Sequence, residues 1–253
     1  MRMQKEFIRT QMLLGAAAME RLAAARVAVF GVGGVGGYVV EALARSGIGA
    51  LDLIDHDTVS ESNLNRQIIA TRSVIGEYKV DVAARRIADI NPAARVRCFR
   101  TFFLPDTEAQ FDFSQYDYVV DAVDTVTAKL ALVMKARAAG TPIISAMGTG
   151  NKLDPSALQV GDISETSVCP LARIMRKELR KRGVDHLKVV FSTELPISPS
   201  QPTEADATGD HRDLPAGRRA TPGSTAFVPA AAGLLIASAI VSDLTGRRPS
   251  RGI

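Results

Sequence analysis

Five glycines within residues 31–37 make this segment the strongest candidate for a phosphate-binding turn. It follows the short apolar run Arg26–Phe30 and reads Gly31-Val-Gly33-Gly34-Val-Gly36-Gly37. Glycine permits positive φ angles and close backbone approach, and a helix that begins here would direct unpaired N–H groups at anionic oxygens. These features predict that the turn binds the phosphates of a nucleotide. The alternative is that the glycines only let a strand and a helix pack closely.

Acidic and basic side chains after the turn indicate which nucleotide chemistry to expect. Asp55, with Asp57 close behind, follows the apolar run Ala50–Ile54, where an acidic residue would hold ribose hydroxyls. Arg66 and Lys79 come next, and two fixed cations suit a triphosphate that is attacked at its α-phosphate and releases pyrophosphate. A hydride-transfer site has no need of such a pair. We therefore predict adenylation by ATP over nicotinamide chemistry.

A later carboxylate completes this set of candidate catalytic residues. Asp124 follows the apolar run Tyr118–Ala122, and a carboxylate there suits Mg²⁺ bound to nucleotide phosphates. Arg66, Lys79 and Asp124 are the predicted catalytic residues, with ATP and Mg²⁺ as cofactors and Asp124 as the metal ligand.

The elements that must position these side chains alternate between strand and helix. After the first two strands come a helix at Lys79–Ile90, a strand at Arg95–Phe99, a helix at Ala128–Ala139 and a strand at Pro142–Ala146. This order predicts an α/β fold, a Rossmann-like, doubly wound, mostly parallel sheet over residues 26–150. Because the carboxyl ends of parallel strands share one edge, the candidate residues can converge there.

The rest of the chain divides into two further segments. Residues 1–25 form a predicted helical segment, and residues 151–253 form a carboxyl-terminal extension that makes one compact unit with the ATP-binding domain. The extension holds strands at Leu158–Ile163 and Lys188–Ser192, a basic helix between them, a polar loop at Pro199–Gly223 and the apolar run Ala226–Val241. That run is shorter than the ~20 residues of a membrane span, so we expect no insertion.

At these residues the chain resembles the superfamily of ubiquitin-activating enzymes and their bacterial relatives, the ThiF, MoeB and HesA proteins. The glycine turn, the segment Ser62-Asn-Leu-Asn-Arg-Gln67, Lys79 and Asp124 occur in the family's order and spacing. The resemblance implies that Asp55 binds ribose and Asp124 binds magnesium. It also implies that four further residues bind the phosphates, namely Asn63, Arg66, Gln67 and Lys79. An arginine near the amino terminus often enters the partner subunit's site in this family, which makes Arg9 a candidate and a homodimer the expected assembly.

Within the superfamily the chain is more similar to the tRNA threonylcarbamoyladenosine dehydratase branch. The similarity is carried by Ile90-Asn-Pro92, Asp121-Ala-Val-Asp124, Asp154-Pro155 and the run that begins Cys169-Pro-Leu-Ala-Arg173. It implies an enzyme that activates the threonyl carboxylate of the modified adenosine with ATP and then closes a ring.

Two alternatives remain open. The first is activation of the terminal carboxylate of a sulfur-carrier protein, with a sulfur-transfer system as partner. Zinc-bearing activators of that kind have paired CxxC motifs, which this chain lacks, since Cys98 and Cys169 are its only cysteines. The second is a non-catalytic nucleotide-binding adaptor, which the presence of the phosphate and magnesium residues disfavours.

A basic face on the predicted helix Pro170–Arg182 is the candidate for tRNA contact. Its members follow helical spacing: Arg173, Arg176, Lys177, Arg180 and Lys181. Such a face is often only solvated, but here it could also grip tRNA phosphates. No stacking aromatic motif accompanies it, so backbone contacts are expected rather than base readout.

Cysteines, histidines and composition place the chain among ordinary soluble proteins. Cys98 is predicted to lie in the core and Cys169 to be a helix-entry residue, while His56, His186 and His211 lack metal-ligand spacing. A charged opening segment without an apolar stretch and the presence of only two cysteines favour a cytoplasmic location, while the modest net charge of +4 says little about nucleic acid.

Overall fold

Seven strands form a single sheet in the computed structural model, which describes residues 5–104, 106–198, 200 and 222–247. The sheet order is β3-β2-β1-β4-β5-β7-β6, and all neighbouring strands are parallel except β6 and β7. The strands are β1 (Arg26–Phe30), β2 (Ala50–Ile54), β3 (Arg95–Phe99), β4 (Tyr118–Asp121), β5 (Ile143–Ala146), β6 (Leu158–Asp162) and β7 (Lys188–Ser192). The predicted Rossmann-like, mostly parallel α/β fold is confirmed.

Helices cover both faces of this sheet, as its buried central strands require. They are α1 (Ile8–Leu14), α2 (Ala16–Ala24), α3 (Gly36–Arg45), α4 (Lys79–Ile90), α5 (Val126–Ala139), α6 (Pro170–Arg180) and α7 (Phe227–Thr245). The amino-terminal segment forms two helices and not one. Gly15 adopts φ +85°, which is not a helical conformation, and so separates α1 from α2.

The last two strands extend the sheet built by the first 146 residues. β7 pairs in parallel with β5, with Ile144 opposite Lys188, and β6 then adds antiparallel to β7 as an edge strand. The sheet therefore crosses the boundary placed at residue 150. Most of the polar loop at Pro199–Gly223, the last residues of the tail and His211 lie outside the described residues.

Helix α7 is the one helix in the described part of the chain that is long and apolar enough to cross a membrane, with a mean hydropathy of 1.9. One of its faces belongs to the main core through Val228, Ala232 and Ile236. Gly233 lets it approach α3 closely, since a Cβ there would lie 2.5 Å from the Val35 carbonyl oxygen. One face of α7 is therefore packed against the core.

The prediction that Cys98 lies in the core is wrong. β3 is an edge strand, and Cys98 is exposed on it. Its thiol contacts the Val80 carbonyl at 3.4 Å. Partial burial of the sulfur, and then the nearby Asp81 carboxylate, raise the pKa of this thiol above its ordinary value. The strand pattern around Cys98 could not reveal that its strand has a neighbour on one side only.

Candidate active site

A cavity of about 320 Å³ opens where β1, β2 and β4 end. The chain leaves β1 towards β2 on one side while β4 lies on the other, so the cavity occupies the place where ligands bind in open α/β sheets. Most of the residues selected from the sequence line it: Gly31, Gly33, Gly34, Asp55, Asp57, Asn63, Arg66, Gln67, Lys79 and Asp124. Gly36 and Arg9 are not among its lining residues. Arg9 is exposed on α1.

The glycines of the turn serve two different purposes. Gly31 has φ +89°, and a Cβ on it would lie 2.6 Å from the Ala122 carbonyl oxygen. A Cβ on Gly36 would lie only 1.8 Å from the Gly31 carbonyl oxygen, so these two glycines are required for packing. By contrast, a Cβ on Gly33 would meet nothing closer than Gln67 Nε2 at 3.8 Å. Gly33 therefore leaves space on the cavity side, whereas a Cβ on Gly34 would lie 3.3 Å from the Pro229 Cβ.

Asp55 holds the glycine turn in place. Its Oδ2 accepts a hydrogen bond from the Val32 amide at 2.7 Å, and its Oδ1 accepts one from the Asp57 amide at 2.9 Å. The carboxylate is largely buried at the end of β2. Each oxygen keeps acceptor capacity for a further donor such as a ribose hydroxyl. Asp55 can thus orient the turn and contact a ligand at once.

Lys79 is a buried cation in the cavity wall. It is the first residue of α4 and is only 5% exposed. Its Nζ donates to Asp57 Oδ2 at 2.6 Å. His56 Nε2 lies 3.2 Å from the other Asp57 oxygen, and the Asp57 side chain is half exposed. Lys79 therefore presents a fixed positive charge beside a carboxylate that solvent or a ligand can reach.

The segment after Asp57 brings three more predicted residues to the cavity through a short 3-10 turn, Glu61–Asn63. Asn63 caps this turn by accepting a hydrogen bond from the Ser60 amide at 3.1 Å. Arg66 lines the cavity, and its Nη1 donates to the Ser62 carbonyl at 2.8 Å and to Asn65 Oδ1 at 3.0 Å, which restrains its guanidinium. Gln67 is buried, and its Oε1 has no hydrogen-bond partner among the described residues.

An unpaired buried oxygen in a cavity wall is costly unless a ligand satisfies it. Gln67 therefore fits a site that receives a donor group, such as a nucleoside amine or hydroxyl. The side-chain amide of Gln67 can take two orientations that exchange its oxygen and nitrogen. In either orientation one polar atom of Gln67 remains for a ligand.

Asp124 is the carboxylate best placed to hold a metal ion with substrate phosphates. It lies exposed in the loop after β4 and lines the cavity. Magnesium bound through phosphates needs only one or two protein carboxylates, so the residues present fit such an ion. Asp55, His56 and Asp57 also bring ligand atoms within 4.8 Å of one another. Their carboxylates, however, already accept hydrogen bonds from backbone amides and from Lys79.

Sequence reasoning missed part of the cavity wall. His56 was treated as a structural or surface residue; it is exposed and also lines the cavity, with its ring 4.5 Å from that of Phe102 in an edge-to-face arrangement. Phe103, Ser224 and Pro229 line it as well. Ser224 lies just before α7, and Pro229 lies in its first turn. Nothing in the spacing of the phenylalanines indicated their position.

The basic helix is shorter than predicted, and its basic side chains differ in role. α6 ends at Arg180, with Ala172, Met175 and Leu179 buried beneath it. Arg176 does not belong to a free cationic face, because its Nη1 donates to the Thr166 carbonyl at 2.6 Å and also to the Thr166 hydroxyl. Lys181 pairs with Glu178 at 2.6 Å. The exposed members are Arg173, Lys177, Arg180 and Lys181.

The remaining cysteine and histidine assignments concern residues away from the cavity. Cys169 directly precedes α6 and is buried at 2% exposure, as a helix-entry residue would be. His186 is exposed, with Nδ1 3.4 Å from Asp162 Oδ1. Neither lines the cavity.

Comparison with known proteins gives consistent matches over nearly the whole chain. The sequence profile described as the ThiF family matches residues 8–251. The tRNA threonylcarbamoyladenosine dehydratase of Bacillus subtilis is 41% identical over 245 residues, which cover 96% of this chain and 95% of that protein. The crystal structure of the E. coli tRNA N6-threonylcarbamoyladenosine dehydratase, TcdA, in complex with ATP has a TM-score of 0.84 at 35% identity and covers 96% of this chain and 94% of that one. The same enzyme in complex with AMP has a TM-score of 0.83 at 35% identity, with the same coverage.

Proposed function

This chain belongs to the ThiF family, and on that premise we propose that it is an ATP-dependent tRNA threonylcarbamoyladenosine dehydratase. The observation that carries the proposal is the convergence of the glycine turn, Arg66, Lys79 and Asp124 on one cavity. The full-length similarity to dehydratases, one of them solved with ATP and with AMP, supports the same reaction.

The reaction uses ATP to convert a carboxylate into a leaving group. A threonyl carboxylate oxygen of the modified adenosine attacks the α-phosphate, the bond from the α-phosphorus to the bridging oxygen breaks, and pyrophosphate leaves. An intramolecular nitrogen or oxygen then attacks the acyl carbon and displaces AMP, which carries away the former carboxylate oxygen. The net change in the nucleoside is loss of one water.

The residues of this chain bind and orient the nucleotide and stabilise developing charge. The turn at Gly33 leaves room for phosphate oxygens next to the amino end of α3. Lys79 and Arg66 offset the negative charge that grows on the leaving pyrophosphate. Because Lys79 is buried and its backbone amide also donates to the Asp57 carbonyl at 3.0 Å, its position is fixed before the substrate arrives.

Magnesium is the second cofactor in this proposal, with Asp124 as its protein ligand. When bound, the ion would neutralise phosphate charge and polarise the phosphorus–oxygen bond that breaks. Support comes from the exposed carboxylate of Asp124 in the cavity and from the preference of Mg²⁺ for oxygen ligands.

The partners follow from the reaction and from the exposed basic residues. The substrate tRNA would lie on α6 through Arg173, Lys177, Arg180 and Lys181, whose side chains are exposed. The active assembly is a homodimer in which Arg9, exposed on α1, enters the partner's cavity. The enzyme acts in the cytoplasm, where a chain with two free cysteines stays reduced.

The test is ATP–pyrophosphate exchange with two carboxylate substrates. One arm contains tRNA bearing threonylcarbamoyladenosine, and the other contains a sulfur-carrier protein with a free carboxyl terminus. We expect the modified tRNA to stimulate exchange and to yield AMP and a nucleoside one water lighter by mass spectrometry. Unmodified tRNA is the matched control.

Three outcomes would contradict the proposal. Stimulation by the carrier protein alone would assign the chain to carrier activation. Binding of ATP without release of AMP or pyrophosphate in both arms would make it an adaptor. Exchange with modified tRNA but no change in nucleoside mass would show that the chain adenylates the substrate but does not dehydrate it.

A further inference from the structure

A fully buried group of three polar residues lies behind the cavity. Asp121 ends β4, Lys129 lies in the first turns of α5, and Ser145 lies in β5 opposite Asp121. Asp121, Lys129 and Ser145 have no exposed surface. Lys129 Nζ donates to the two Asp121 oxygens at 3.0 and 2.9 Å and to Ser145 Oγ at 3.3 Å. The Ser145 hydroxyl also donates to Asp121.

This group is joined directly to the loop that carries Asp124. The Val123 amide donates to Asp121 Oδ1 at 3.3 Å, and the Ala122 amide donates to the Phe30 carbonyl at 2.8 Å. On the far side of the loop, the Lys129 amide donates to the Thr125 carbonyl at 3.0 Å as α5 begins. The ion pair thus links the residue before the loop to the helix after it.

The loop is short, so its two ends determine its path. Residues 122–125 connect β4 to α5, and Ala122, Val123 and Asp124 line the cavity. Asp124 itself has an exposed side chain with no hydrogen bond to any described residue that would aim it. Its direction must come from the backbone on either side.

We propose that Asp121, Lys129 and Ser145 are positioning residues that hold the Asp124 loop in the geometry needed for magnesium and ATP. They act from behind the cavity and touch neither substrate nor metal. The inference rests on the proposed adenylating site, because it assigns the group a role through Asp124.

A purely stabilising role would be a weak reason for this arrangement. Removing two charges from water costs several kcal/mol per ion. Replacing a buried ion pair with well-packed hydrophobic side chains often leaves the free energy of unfolding unchanged or raises it. What a buried, hydrogen-bonded pair does supply is a defined geometry, because each oxygen of Asp121 has a fixed partner. Stability and positioning can therefore be separated by experiment.

The test replaces the pair as a unit so that no lone charge remains buried. The double variant Asp121→Asn/Lys129→Met is compared with wild type, with Asp124→Asn and with the combination of all three substitutions. For each protein, the dissociation constant of ATP is measured with and without Mg²⁺, together with the rate of ATP–pyrophosphate exchange. All measurements are made at temperatures at which circular dichroism shows each variant to be folded.

We expect ATP binding without Mg²⁺ to stay within about twofold of wild type while the gain in affinity from Mg²⁺ and the exchange rate each fall about tenfold or more. Because the group acts through Asp124, the triple variant should be no worse than Asp124→Asn alone. Wild-type Mg²⁺ dependence in the folded double variant, or fully additive losses in the triple variant, would overturn the inference.

Two further variants keep the test decisive. Ser145→Ala removes one hydroxyl and leaves the ion pair, so it should fold even if the double variant does not. It should lower the gain from Mg²⁺ about threefold, and an unchanged gain would count against the proposal. Asp52→Asn/Arg97→Met removes another ion pair of the same sheet, with Arg97 Nε 2.9 Å from Asp52 Oδ1, and should leave the Mg²⁺ dependence at the wild-type level.

Equal losses in that control would mean that any ion pair of the sheet has this effect, which would also overturn the inference. The single variant Asp124→Asn separates this failure from failure of the site itself. If it leaves the Mg²⁺ dependence unchanged, the metal assignment under the proposed function is wrong, and the positioning role is lost with it.

Discussion

Lys79 Nζ lies 2.6 Å from Asp57 Oδ2, and the two residues are joined a second time through their backbones, by the Lys79 amide and the Asp57 carbonyl at 3.0 Å. The double link fixes the start of α4 against the loop after β2. The Asp57 side chain is half exposed, Lys79 is buried, and both residues line the cavity. A ligand in the cavity would therefore meet a cation whose position is already fixed.

Removal of the fixed charges should therefore impair catalysis far more than folding. We expect Lys79→Ala and Asp124→Ala each to lower turnover at least ~100-fold, the scale for lost electrostatic stabilisation of a transition state. Turnover is measured as AMP release with modified tRNA. Arg72→Ala, which removes an exposed pair with Glu61, is the matched control and should stay near wild type. Near-normal rates in both cavity variants would remove the site assignment.

The glycines of the turn should respond differently to the same substitution. Gly33→Ala adds a methyl group with space around it on the cavity side, so we expect a folded protein with weaker ATP binding. Gly36→Ala places the methyl group against the Gly31 carbonyl, at 1.8 Å before relaxation, and should lower the melting temperature by several degrees. Thermal unfolding and ATP titration of both variants check this. A stable Gly36→Ala protein would contradict the packing role.

Local sequence patterns predicted the frame of the fold well. Arg26–Phe30, Ala50–Ile54, Arg95–Phe99 and Lys188–Ser192 are strands with the predicted bounds, because each is a short run rich in β-branched or apolar residues between turn signals. The convergence of Arg66, Lys79 and Asp124 also followed from a general rule, that parallel strands end at one edge.

Properties that depend on tertiary neighbours could not be predicted in the same way. Lys129 lies in the predicted helix Ala128–Ala139, where a lysine ordinarily extends into solvent, yet it is completely buried against Asp121. Arg176 has the spacing of an exposed basic residue, but Thr166 from a neighbouring turn accepts its hydrogen bonds. In both residues the partner lies on another element, so spacing along one helix carries no information about it.

The contrast between Arg176 and its neighbours predicts how α6 should respond to charge reversal. Arg173→Glu/Arg180→Glu changes two exposed side chains, so tRNA binding should weaken and the slope of log affinity against log salt should become less steep by about 1 to 2 units. ATP affinity should not change. Filter binding over a range of salt concentrations measures the effect. Unchanged tRNA affinity would show that these basic residues are only exposed to solvent and do not bind tRNA.

Arg176→Ala is a variant of the same helix with a different expected defect. It removes the donor to two oxygens of Thr166, so it should lower the melting temperature. The tRNA affinity, measured at a temperature at which the variant is as fully folded as wild type, should change little. A loss of tRNA affinity equal to that of the charge-reversed variant, without loss of stability, would show that Arg176 binds tRNA.

Arg9 supplies the last prediction, since it is exposed on α1 and does not line the cavity of its own chain. If it acts on the partner's cavity, Arg9→Ala and Lys79→Ala will each be inactive alone but will complement one another when mixed. In a mixed dimer the Arg9→Ala chain keeps an intact cavity and receives Arg9 from its partner. Random exchange of subunits should restore about a quarter of wild-type turnover, because half of the dimers are mixed and each has one complete site. Mixing that restores nothing, although mass measurements show that mixed dimers form, would place Arg9 outside the partner's site.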